Sequence, residues 1–418
     1  MKIIQIVAAY KPAYIYGGPT MSVSKLCEAL VEQEAKNKDQ KLKNKDQQGK
    51  SKAQEKRNNE QGDASDAKLE IEVFTTTANG KQELKVKANE STAVDGVKVT
   101  YFKRITKDHT HYSPNLFSTL KKTISNKQHE PTVIHIHSWW NTVSVFSCWI
   151  AKSANVPVVL SPRGMITNYT LGNRNSFIKH IIHHLIGKRL LNYCHIHATS
   201  EQEKRDIEGI IKPKSMSVIP NFVRYPEKQP YRAFTTKKEL RIISLSRIEE
   251  KKGLDILFEA LAMINISWKL TIAGSGSSDY SNELLMLANN LGINDKIDWK
   301  GHVTDADKFE LLSQHDLMVL ASHNENFANT VIESLSVGTP VLISEHVGLS
   351  DYVLNNKIGW VSKLDSESFA DILLKINDNE AQRLQIAQTA PSIIRKDFHL
   401  EKIVGQYLDL YKYATEHG

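Results

Sequence analysis

The sequence predicts an α/β protein built from two doubly wound parallel sheets. Short apolar runs alternate with longer amphipathic segments along most of the 418 residues, which is typical of parallel strands covered by helices. Three prolines in the stretch 220–240 interrupt this alternation and leave strands for a separate sheet on each side. We therefore expect an N-terminal domain over 1–222, a second domain over 223–395 and a C-terminal helix over 396–418 that packs back on the first domain.

The predicted strands fall into two groups along the chain, one group for each sheet. In the first half they are IIQIV, LEIEVFT, VKVTYF, TVIHIH, VPVVLS, HIHATS and SMSVIP, and in the second half LRIISLS, WKLTIAG, KIDWKG, DLMVLAS and TPVLIS. Helix-like segments between them include 21–32, 254–263 and 283–291. The apolar run in MKIIQIVAAYKP is short and lacks a cleavage site, so it is interpreted as a first buried strand.

Composition excludes several classes of protein. No window holds the run of apolar residues that a membrane span needs. Cys27, Cys148 and Cys194 lie far apart in sequence, without metal-ligand spacing, and favour a reducing cytoplasm over a disulfide framework. The net charge of +7 is not gathered into an arginine-rich run, so nucleic-acid binding is not expected. Anionic small molecules or an anionic membrane surface fit the charge.

One segment departs from the alternating pattern. Residues 35–68 are dominated by Lys, Gln, Asn, Asp and Glu, with Leu42 as their one large aliphatic residue. Such a segment cannot bury enough apolar surface to offset its ordering entropy. We interpret it as a surface insertion that is disordered or, at most, a frayed solvated helix.

The stretch HNENFANTVIESLSVGTPVL (323–342) holds the first candidate site. A strand ends before it, Glu325 lies in the turn, and Glu333 lies about one turn into a helix that Asn326 or Asn329 would cap. Ligands of open α/β sheets bind at the carboxyl ends of the strands, and helix N-termini attract anions. Two carboxylates on either side of free backbone amides suit a ligand with hydroxyls at both ends and a charged middle. A nucleotide sugar is such a ligand. From spacing alone, a dipole-favoured Glu333 and a solvated Glu325 are equally plausible.

Glycines and cations mark three further strand ends. In SRIEEKKGLDIL, Arg247 and Lys252 are placed to bind phosphate, although pairing with the neighbouring acids Glu249 and Glu250 is the alternative. Gly17 and Gly18 follow the first strand, and AGSG places Gly274 and Gly276 in another strand-end loop. These glycines would allow backbone to approach a diphosphate, but neither signal is specific alone.

These motifs together resemble the retaining glycosyltransferases of family 4, of the type found in bacterial surface-polysaccharide assembly. The resemblance runs in order from the N-terminus to about residue 360 through GGPTMSVSKL, HIHSWW, SPRGM, ATSEQEKRDI, VIPNFV, SRIEEKKGLDIL, AGSG, GHV and ENFANTVIESLSVGTPV. It implies the GT-B architecture, in which two Rossmann-like domains face each other across a cleft and a C-terminal helix crosses back. It also implies a metal-independent hexosyltransferase without a cofactor, whose nucleotide-sugar donor is a co-substrate.

The resemblance also implies roles for single residues. It makes His137, Glu325, Arg247 and Lys252 catalytic, and it places Arg163 and His137 at the acceptor. Within the donor site, Glu333 would hold the ribose hydroxyls, Glu325 the sugar, and Arg247 and Lys252 the diphosphate, while the Val303 backbone would meet the base. The remaining donor-binding positions are Gly17, Gly18, Gly274, Asn326, Phe327, Ala328 and Asn329.

Three departures from the family pattern concern Phe222, where glycine is usual, Ser334, where alanine is usual, and the insertion 35–68. The first could alter the connection between the domains or narrow the cleft. The second is a small change, and the third could affect access of a partner or acceptor.

Three other patterns have structural and functional interpretations. Asp305 and Asp307 form a DxD triplet, which binds metal in other glycosyltransferases, but here capping of a helix from Thr304 explains both acids better. His135, His195 and His197 are interpreted as core or cleft histidines rather than zinc ligands. The apolar, basic segment 175–193 either covers the first sheet or rests on an anionic membrane surface.

The sequence thus predicts a cytoplasmic enzyme, with a position at the inner face of the plasma membrane as one interpretation. Its partners would be a nucleotide sugar and a glycan acceptor, with lipid-linked glycans among the candidates. Alternatives are a nucleotide-sugar epimerase or glucan synthase of the same fold, or an inactive nucleotide-sugar-binding protein. The base, donor sugar, acceptor and linkage are not predicted, and neither are the oligomeric state and the role of 35–68.

Overall fold

The computed structural model describes residues 1–51, 69–125, 130–167, 187–226 and 239–418, with 40–51 described by their backbone alone. The described chain forms two compact units. Unit 1 comprises Met1–Thr199, Lys204–Phe222 and Leu400–Gly418, and unit 2 comprises Ser200–Glu203 and Val223–His399. None of the helices in these ranges is long and apolar enough to cross a lipid bilayer.

Unit 1 is built around an eight-stranded sheet in the order β10-β9-β8-β7-β1-β2-β6-β5. The strands pair in parallel except for β5, which pairs antiparallel with β6 at one edge. Their central positions are fully buried, because helices cover both faces of a parallel sheet. The strands are β1 (Lys2–Ile6), β2 (Glu70–Thr76), β5 (Ser91–Val94), β6 (Val97–Phe102), β7 (Thr132–His137), β8 (Val158–Ser161), β9 (His195–Ala198) and β10 (Ser215–Val218), with a separate hairpin of β3 (Ala78–Asn79) and β4 (Gln82–Glu83).

The helices of unit 1 bury apolar stripes against this sheet. The amide of Ser144 donates to the Asn141 side chain, which caps α3, and the sequence pattern of α2 buries Leu116, Leu120 and Ile124 on one face. The helices are α1 (Gly18–Ser51), α2 (Pro114–Ser125), α3 (Thr142–Ser153), α4 (Lys188–Leu191) and α5 (Glu201–Glu208), whose first residues belong to unit 2.

Unit 2 contains a six-stranded, fully parallel sheet in the order β13-β12-β11-β14-β15-β16. The strand order reverses between β11 and β14, which is the switch point where doubly wound sheets bind ligands. Trp268, Phe258 and Phe369 are among its fully buried side chains. The strands are β11 (Leu240–Leu245), β12 (Trp268–Ala273), β13 (Ile297–Gly301), β14 (Leu317–Leu320), β15 (Val341–Ser344) and β16 (Gly359–Ser362).

Side-chain caps fix the start of several helices in unit 2. Ser277 accepts from the amide of Tyr280, Asp365 from that of Ser368, and each cap satisfies a helix donor that would otherwise lack a partner. The helices are α6 (Leu254–Met263), α7 (Ser278–Asn290), α8 (Lys308–Ser313), α9 (Asn329–Ser336), α10 (Ser350–Asn355), α11 (Ser366–Asp378) and α12 (Glu380–Asp397).

The two predicted sheets and the doubly wound α/β class are confirmed. The polar segment differs from the main expectation, because α1 continues without a break to Ser51. Of the two alternatives for 35–68, the helix is the one found as far as Ser51, where charged residues four positions apart, such as Glu32 and Lys36, form ion pairs. The rest of the predicted insertion, 52–68, lies outside the described residues, as do 227–238 and most of 175–193.

The last helix, α13 (Leu400–Glu416), belongs to unit 1. It begins four residues after the predicted start of the C-terminal helix, because α12 continues to Asp397 before the chain turns. Its buried stripe includes Tyr407 and Tyr411. Phe222, the last residue of unit 1 before unit 2, stacks on the Tyr407 ring with centroids 5.7 Å apart. The aromatic residue that replaces the usual glycine therefore packs against the returning helix.

Two of the three cysteines are close in space although they are distant in sequence. The sulfur atoms of Cys148 on α3 and Cys194 lie 3.5 Å apart, and both side chains are buried. All three cysteines are free thiols. Sequence spacing did not predict this contact, because packing of α3 beside the segment that leads into β9 brings the two residues together.

Candidate functional site

The predicted donor-site residues of unit 2 gather where β11 and β14 end side by side. These neighbouring strands pair through Ile242 with Leu317 and Ile243 with Met318. The loop after β11 carries Arg247 and Lys252, and the loop after β14 carries Glu325. The candidate site therefore lies at the switch point of the sheet.

Gly253 allows these two loops to meet. It has a φ of 60°, and a Cβ atom there would lie 2.0 Å from the carbonyl oxygen of Ala321. The amide of His323 and the hydroxyl of Ser322 both donate to the carbonyl oxygen of Lys251, at 2.9 Å each. A side chain at position 253 would push the loops apart, so glycine is required at this position.

The contact between the loops is an ion pair of Lys252 and Glu325. The Lys252 ammonium donates to Oε2 of Glu325, and the two side chains are 10% and 23% exposed. Burial of two charges is tolerated when they pair closely. The structure thus brings together two of the four predicted catalytic residues.

Arg247 behaves differently. Its side chain is 71% exposed, and its guanidinium donates to Glu249 two residues away. The surface pair weighed as the alternative for Arg247 is the arrangement present in the structure. Exposed pairs of this kind hold a side chain weakly, so they leave the guanidinium able to reorient.

Glu333, on α9, is 7% exposed and pairs with a lysine that the sequence analysis missed. The Lys308 ammonium donates to Glu333 Oε1 at 2.6 Å and also contacts Asp305 at 2.9 Å. Burial holds the pKa of Glu333 above its usual range, and Lys308 opposes this shift. Burial alone would lower the pKa of Lys308, but Glu333 and Asp305 raise it overall. Lys308 follows the DxD triplet directly, a position that could have drawn attention to it.

The loop from Glu325 to the start of α9 is held by hydrogen bonds to two other segments of the chain. The amide of Glu325 donates to the His346 carbonyl at 3.1 Å, and the amide of Gly348 donates to the Glu325 carbonyl at 2.7 Å. Ser200 Oγ donates to the Asn326 carbonyl, and the Asn326 side chain donates to Glu203, each at 3.1 Å. Ser200 and Glu203 therefore position a loop more than a hundred residues away, which sequence spacing could not reveal.

The expected caps of α9 were wrong. Its N-cap residue is Ala328, in left-handed backbone with a φ of 66°, and no side-chain cap bond is made there. Asn326 lies two residues before this N-cap position, and its side-chain amide donates to Glu203. The Phe327 side chain packs in the core against Phe398, with centroids 6.1 Å apart, so only its backbone is available to a ligand. Asn329 is the first residue of the helix.

Gly274 and Val303 belong to the neighbouring strand ends. A Cβ atom at Gly274 would lie 1.8 Å from the Ser246 carbonyl oxygen, so the β12 loop passes directly over the β11 loop. The Gly274 amide donates to Gly301 at 2.7 Å. Val303 follows β13 and is half-buried. Both residues therefore lie at the same edge of the sheet as Lys252.

The DxD triplet precedes α8 without the predicted cap, because the N-cap residue of α8 is Asp307 rather than Thr304 and it makes no side-chain cap bond. The Asp307 amide donates to Thr304 Oγ1 at 3.4 Å, and Thr304 Oγ1 donates to Asp307 at 2.6 Å. Asp305 pairs with Lys308 and lies 3.9 Å from Arg224. Cations next to Asp305 hold its pKa below its usual range, the hydrogen bond from Lys308 having the largest effect. Among the residues that the structure describes, no cluster of three potential metal ligands is present.

The remaining predicted site residues lie in unit 1. Gly17 has a φ of 62° and precedes α1, which begins at Gly18; a Cβ atom at either position would meet no atom within 4 Å. His137 ends β7 and is buried, and Arg163 follows β8 with a φ of 54°. These residues surround the carboxyl ends of the unit 1 strands.

His137 is part of a buried chain of hydrogen bonds whose direction can be assigned. His197 Nε2 faces the Ile219 carbonyl at 2.7 Å, so it carries a proton and leaves Nδ1 to accept from Ser161. Ser161 then accepts from Nε2 of His135 at 2.7 Å, and His135 Nδ1 accepts from Tyr411 at 2.7 Å. The Ile219 carbonyl, which can only accept, thereby determines the tautomers of both histidines.

The same reasoning extends the chain to Arg163. Tyr411 accepts from Gln5 Nε2 at 3.1 Å, and Gln5 Oε1 accepts from His137 Nε2 at 2.7 Å. His137 Nδ1 is then left to accept from Arg163 at 3.5 Å. Burial lowers the pKa of His135 and His137 well below the usual value and that of His197 to about 3. His135, His137 and His197 are therefore neutral. The predicted core or cleft histidines, His135, His195 and His197, are all buried, and His195 bonds Ser215 at 2.8 Å.

A cavity of about 630 Å³ lies at the opposite edge of the unit 2 sheet, near the amino ends of its strands. Arg241 on its wall pairs with Asp316 at 2.8 Å, and Lys300 pairs with Asp298 at 2.9 Å. These charges are therefore balanced within the protein. The cavity does not include any residue predicted for the donor site.

Two parallel sheets, with a charged cluster at the switch point of one, define a Rossmann-like protein with a candidate nucleotide site. Residues 64–225 match the family described as Glycosyltransferase Family 4, and residues 227–392 match Glycosyl transferases group 1. The chain belongs to the family 4 glycosyltransferases, and its fold is GT-B.

Individual relatives are distant. Over 171 residues the chain is 28% identical to the amylovoran biosynthesis glycosyltransferase AmsK of Erwinia amylovora, covering 38% of this chain and 41% of AmsK. It is 26% identical to the N-acetyl-alpha-D-glucosaminyl L-malate synthase of Bacillus anthracis, over 51% of this chain and 58% of that protein. The chain thus spans about half the length of the curated relatives it matches.

Solved structures match over a greater length. The structure of Anabaena HepE in complex with UDP and glucose aligns with a TM-score of 0.66 and 17% identity, over 98% of each chain. At this identity the similarity supports the fold alone.

Proposed function

We propose that this protein transfers a hexosyl residue from a nucleotide sugar to a glycan acceptor, with retention of anomeric configuration. The pairing of Lys252 with Glu325 at the switch point of unit 2 is the observation that carries the proposal. We place the reaction in the cytoplasm, in surface-polysaccharide assembly, with a lipid-linked glycan as the acceptor class. Relatives named for amylovoran and lipopolysaccharide core biosynthesis support this assignment.

The chemistry of the pair fits a diphosphate leaving group. Cleavage of the sugar–phosphate bond develops negative charge on the diphosphate, and a preorganised cation stabilises that charge in a site shielded from water. Lys252 would supply the cation, and the exposed Arg247 would turn from Glu249 to add a second. Glu325, released from part of its contact with Lys252, would accept hydrogen bonds from the sugar hydroxyls.

Glu333 would bind the ribose. Its carboxylate is held on the first turns of α9 by Lys308, so its second oxygen can accept from vicinal hydroxyls. The backbone of residues 327–329 opens the same helix and would add amides to the phosphates. The presence of UDP in HepE makes a uridine nucleotide the first donor to test.

Unit 1 would contribute the acceptor side through Arg163 and His137. Because His137 is neutral and donates through Nε2 to Gln5, we assign it a positioning role: its Nδ1 accepts from Arg163 and orients that guanidinium. Arg163 would then bind acceptor hydroxyls. Gly17 and Gly18, at the start of α1, would allow backbone to approach a bound ligand closely.

We further propose that no metal ion is needed for transfer. Asp305 and Asp307, the acids that could bind one, are engaged by Lys308 and Thr304. Transfer should therefore persist after the protein is treated with a chelator. Loss of activity on chelation that returns with a divalent cation would contradict this part of the proposal.

The decisive experiment compares three variants with the unaltered chain. Purified protein is incubated with a panel of nucleotide sugars, and nucleotide release and glycan products are measured. Glu325→Gln and Lys252→Met should each lower transfer by about 100-fold or more, in the range of losing one transition-state donor. Lys300→Met is the matched control, because Lys300 pairs with Asp298 at 2.9 Å on an exposed surface of the same unit.

The products separate the alternatives. Full activity in both site variants would exclude the proposed site. Donor turnover to an isomer without acceptor would indicate an epimerase, whereas a long glucan product would indicate a glucan synthase. Donor binding without transfer or slow hydrolysis would indicate a binding protein.

A further inference from the structure

Unit 1 exposes a cluster of large apolar side chains on α2, α3 and the preceding loop, which we call the aromatic patch: Ile105, Tyr112, Phe117, Phe146 and Trp149. Ile105 is 69% exposed, Trp149 54%, Phe146 41% and Tyr112 36%. The rings of Phe117 and Phe146 are 5.3 Å apart, and Tyr112 lies 5.7 Å and 6.0 Å from them. Clustered exposed apolar residues mark interaction surfaces, whereas single ones do not.

The backbone holds this patch in place. The Ile105 amide donates to the Tyr112 carbonyl at 2.7 Å, which closes the loop. Thr142, at the start of α3, donates to the Thr110 carbonyl through both its amide and its hydroxyl, at 2.9 Å and 2.7 Å. The opposite faces of α2 and α3 are buried in the core of unit 1. The exposed rings therefore belong to a fixed surface.

Charges around the patch are almost all positive. Residues 103–125, 142–154 and 187–191 contain eight Lys and Arg and one acid, Asp108. Lys121 follows Phe117 by one helical turn, and Lys152 follows Trp149 by three residues and donates to the Arg189 carbonyl at 3.1 Å. Of the eight cations, Arg104 alone is buried, where it pairs with Glu83. The exposed surface around the aromatic patch is therefore strongly cationic.

We propose that the aromatic patch docks the protein on an anionic lipid bilayer. Trp and Tyr rings prefer the boundary between headgroups and acyl chains, and surrounding lysines are attracted to anionic headgroups. An anionic bilayer presents a uniformly negative surface, which is complementary to a surface where cations far outnumber acids. The proposal does not depend on the transfer reaction, because bilayer binding requires neither donor nor acceptor.

Vesicle flotation of the full chain tests the proposal. The protein should bind phosphatidylglycerol vesicles strongly and phosphatidylcholine vesicles weakly, and added salt should reduce the binding. Phe146→Ser with Trp149→Ser should lower partitioning by about tenfold or more. Lys121→Glu with Lys122→Glu should lower it by at least about fivefold per lysine on anionic vesicles.

Matched controls come from unit 2. Met263 and Met286 are 57% and 59% exposed but lie on separate helices, so Met263→Ser with Met286→Ser should leave binding unchanged. Lys363→Glu with Lys375→Glu is the corresponding charge control on exposed positions. Trp149→Phe should remove the blue shift of tryptophan emission that anionic vesicles cause.

Three results would overturn the proposal. One is absence of binding to phosphatidylglycerol vesicles, and another is equal binding by the Phe146→Ser, Trp149→Ser variant. The third is a concentration-dependent dimer that this variant abolishes, which would assign the patch to contact between copies of the chain. Circular dichroism of each variant checks that the fold is intact, so a loss of binding is not confused with unfolding.

Discussion

The carboxyl edges of the two sheets contain contrasting polar networks. In unit 1, the Arg163 guanidinium donates to His137, and from His137 a chain of neutral groups bonds in one direction through Tyr411 to the Ile219 carbonyl. In unit 2, the network consists of ion pairs, Lys252 with Glu325 and Lys308 with Glu333. Both sheets are parallel and doubly wound, so the fold alone does not decide which kind of network is present.

The difference shows how a buried polar group is stabilised in each unit. A neutral chain needs only that every donor meets an acceptor, whereas a buried charge needs a counter-charge at close range. Loss of one member should therefore cost more in unit 2 than in unit 1. Stability measurements on each network test this comparison.

The largest effect is expected for Lys308→Met. The change leaves Glu333, which is 7% exposed, without its ammonium partner, and breaking such a buried pair costs about 3–5 kcal/mol of folding free energy. Urea denaturation of the variant measures this loss. Lys300→Met, whose side chain is 49% exposed, should cost less than about 1 kcal/mol. Equal losses in the two variants would contradict the importance of the Glu333 pair.

A smaller effect is expected for Tyr411→Phe in unit 1. The missing hydroxyl removes the acceptor for Gln5 and the donor to His135, which should cost about 1–3 kcal/mol, the usual penalty for unsatisfied buried groups. Tyr413→Phe on the same helix serves as the control, because Tyr413 is 45% exposed. If both tyrosine variants unfold at the same urea concentration, the hydrogen-bond chain does not stabilise the fold.

The smallest loss of stability per residue is expected when the pH is lowered and the buried histidines are protonated. Each neutral histidine has a folded pKa below its unfolded value near 6.5, and that of His197 is about 3. The unfolded state therefore binds more protons in this window, so stability is complete above about pH 6.5 and falls below it by about 1 kcal/mol per pH unit per histidine. The raised pKa of Glu333 has the opposite sign, since it favours folding as pH falls.

Hydrogen exchange at about pH 7.5 and about pH 5.5 separates these contributions by unit. Protection should fall first in β7 and β9, the strands that carry the buried histidines, and in β8, which lies between them in the sheet. A variant with His197→Asn should show a shallower dependence. If unit 2 loses protection before unit 1 on acidification, the assignment of the pH effect to the histidine chain is wrong.

Much of the fold could be predicted because parallel strands buried on both faces have a distinct apolar signature. All twelve predicted runs contain or overlap a strand of the two sheets. The edge strands β5 and β16 were missed: β5 is largely exposed, and β16 is only partly buried. The length of α1 was missed because its polar continuation depends on local ion pairs and the preceding packed turns, which an apolar pattern does not register.

The candidate site was predictable only in part. Glu325 and Lys252 were singled out from their positions in strand-end loops and Glu333 from its position near a helix start, but their roles came from the family resemblance. Their partners were harder to predict, because Lys308 is 25 residues from Glu333 and Glu203 is 123 residues from Asn326. Such contacts depend on which loops the sheet order brings together. The chain of hydrogen bonds in unit 1 was not predicted, because its polar residues lie on separate strands, where they alternate with apolar residues.

Ala328 limits how the sequence can vary at the start of α9. Its left-handed backbone costs a residue with a side chain about 1–2 kcal/mol, yet the position is 7% exposed and has little room for a larger group. Glycine would adopt the same backbone without strain but would let the turn sample more conformations. Among natural variants of this chain, substitution at 328 should therefore be confined to the smallest residues, and a library built around this turn should leave the position fixed.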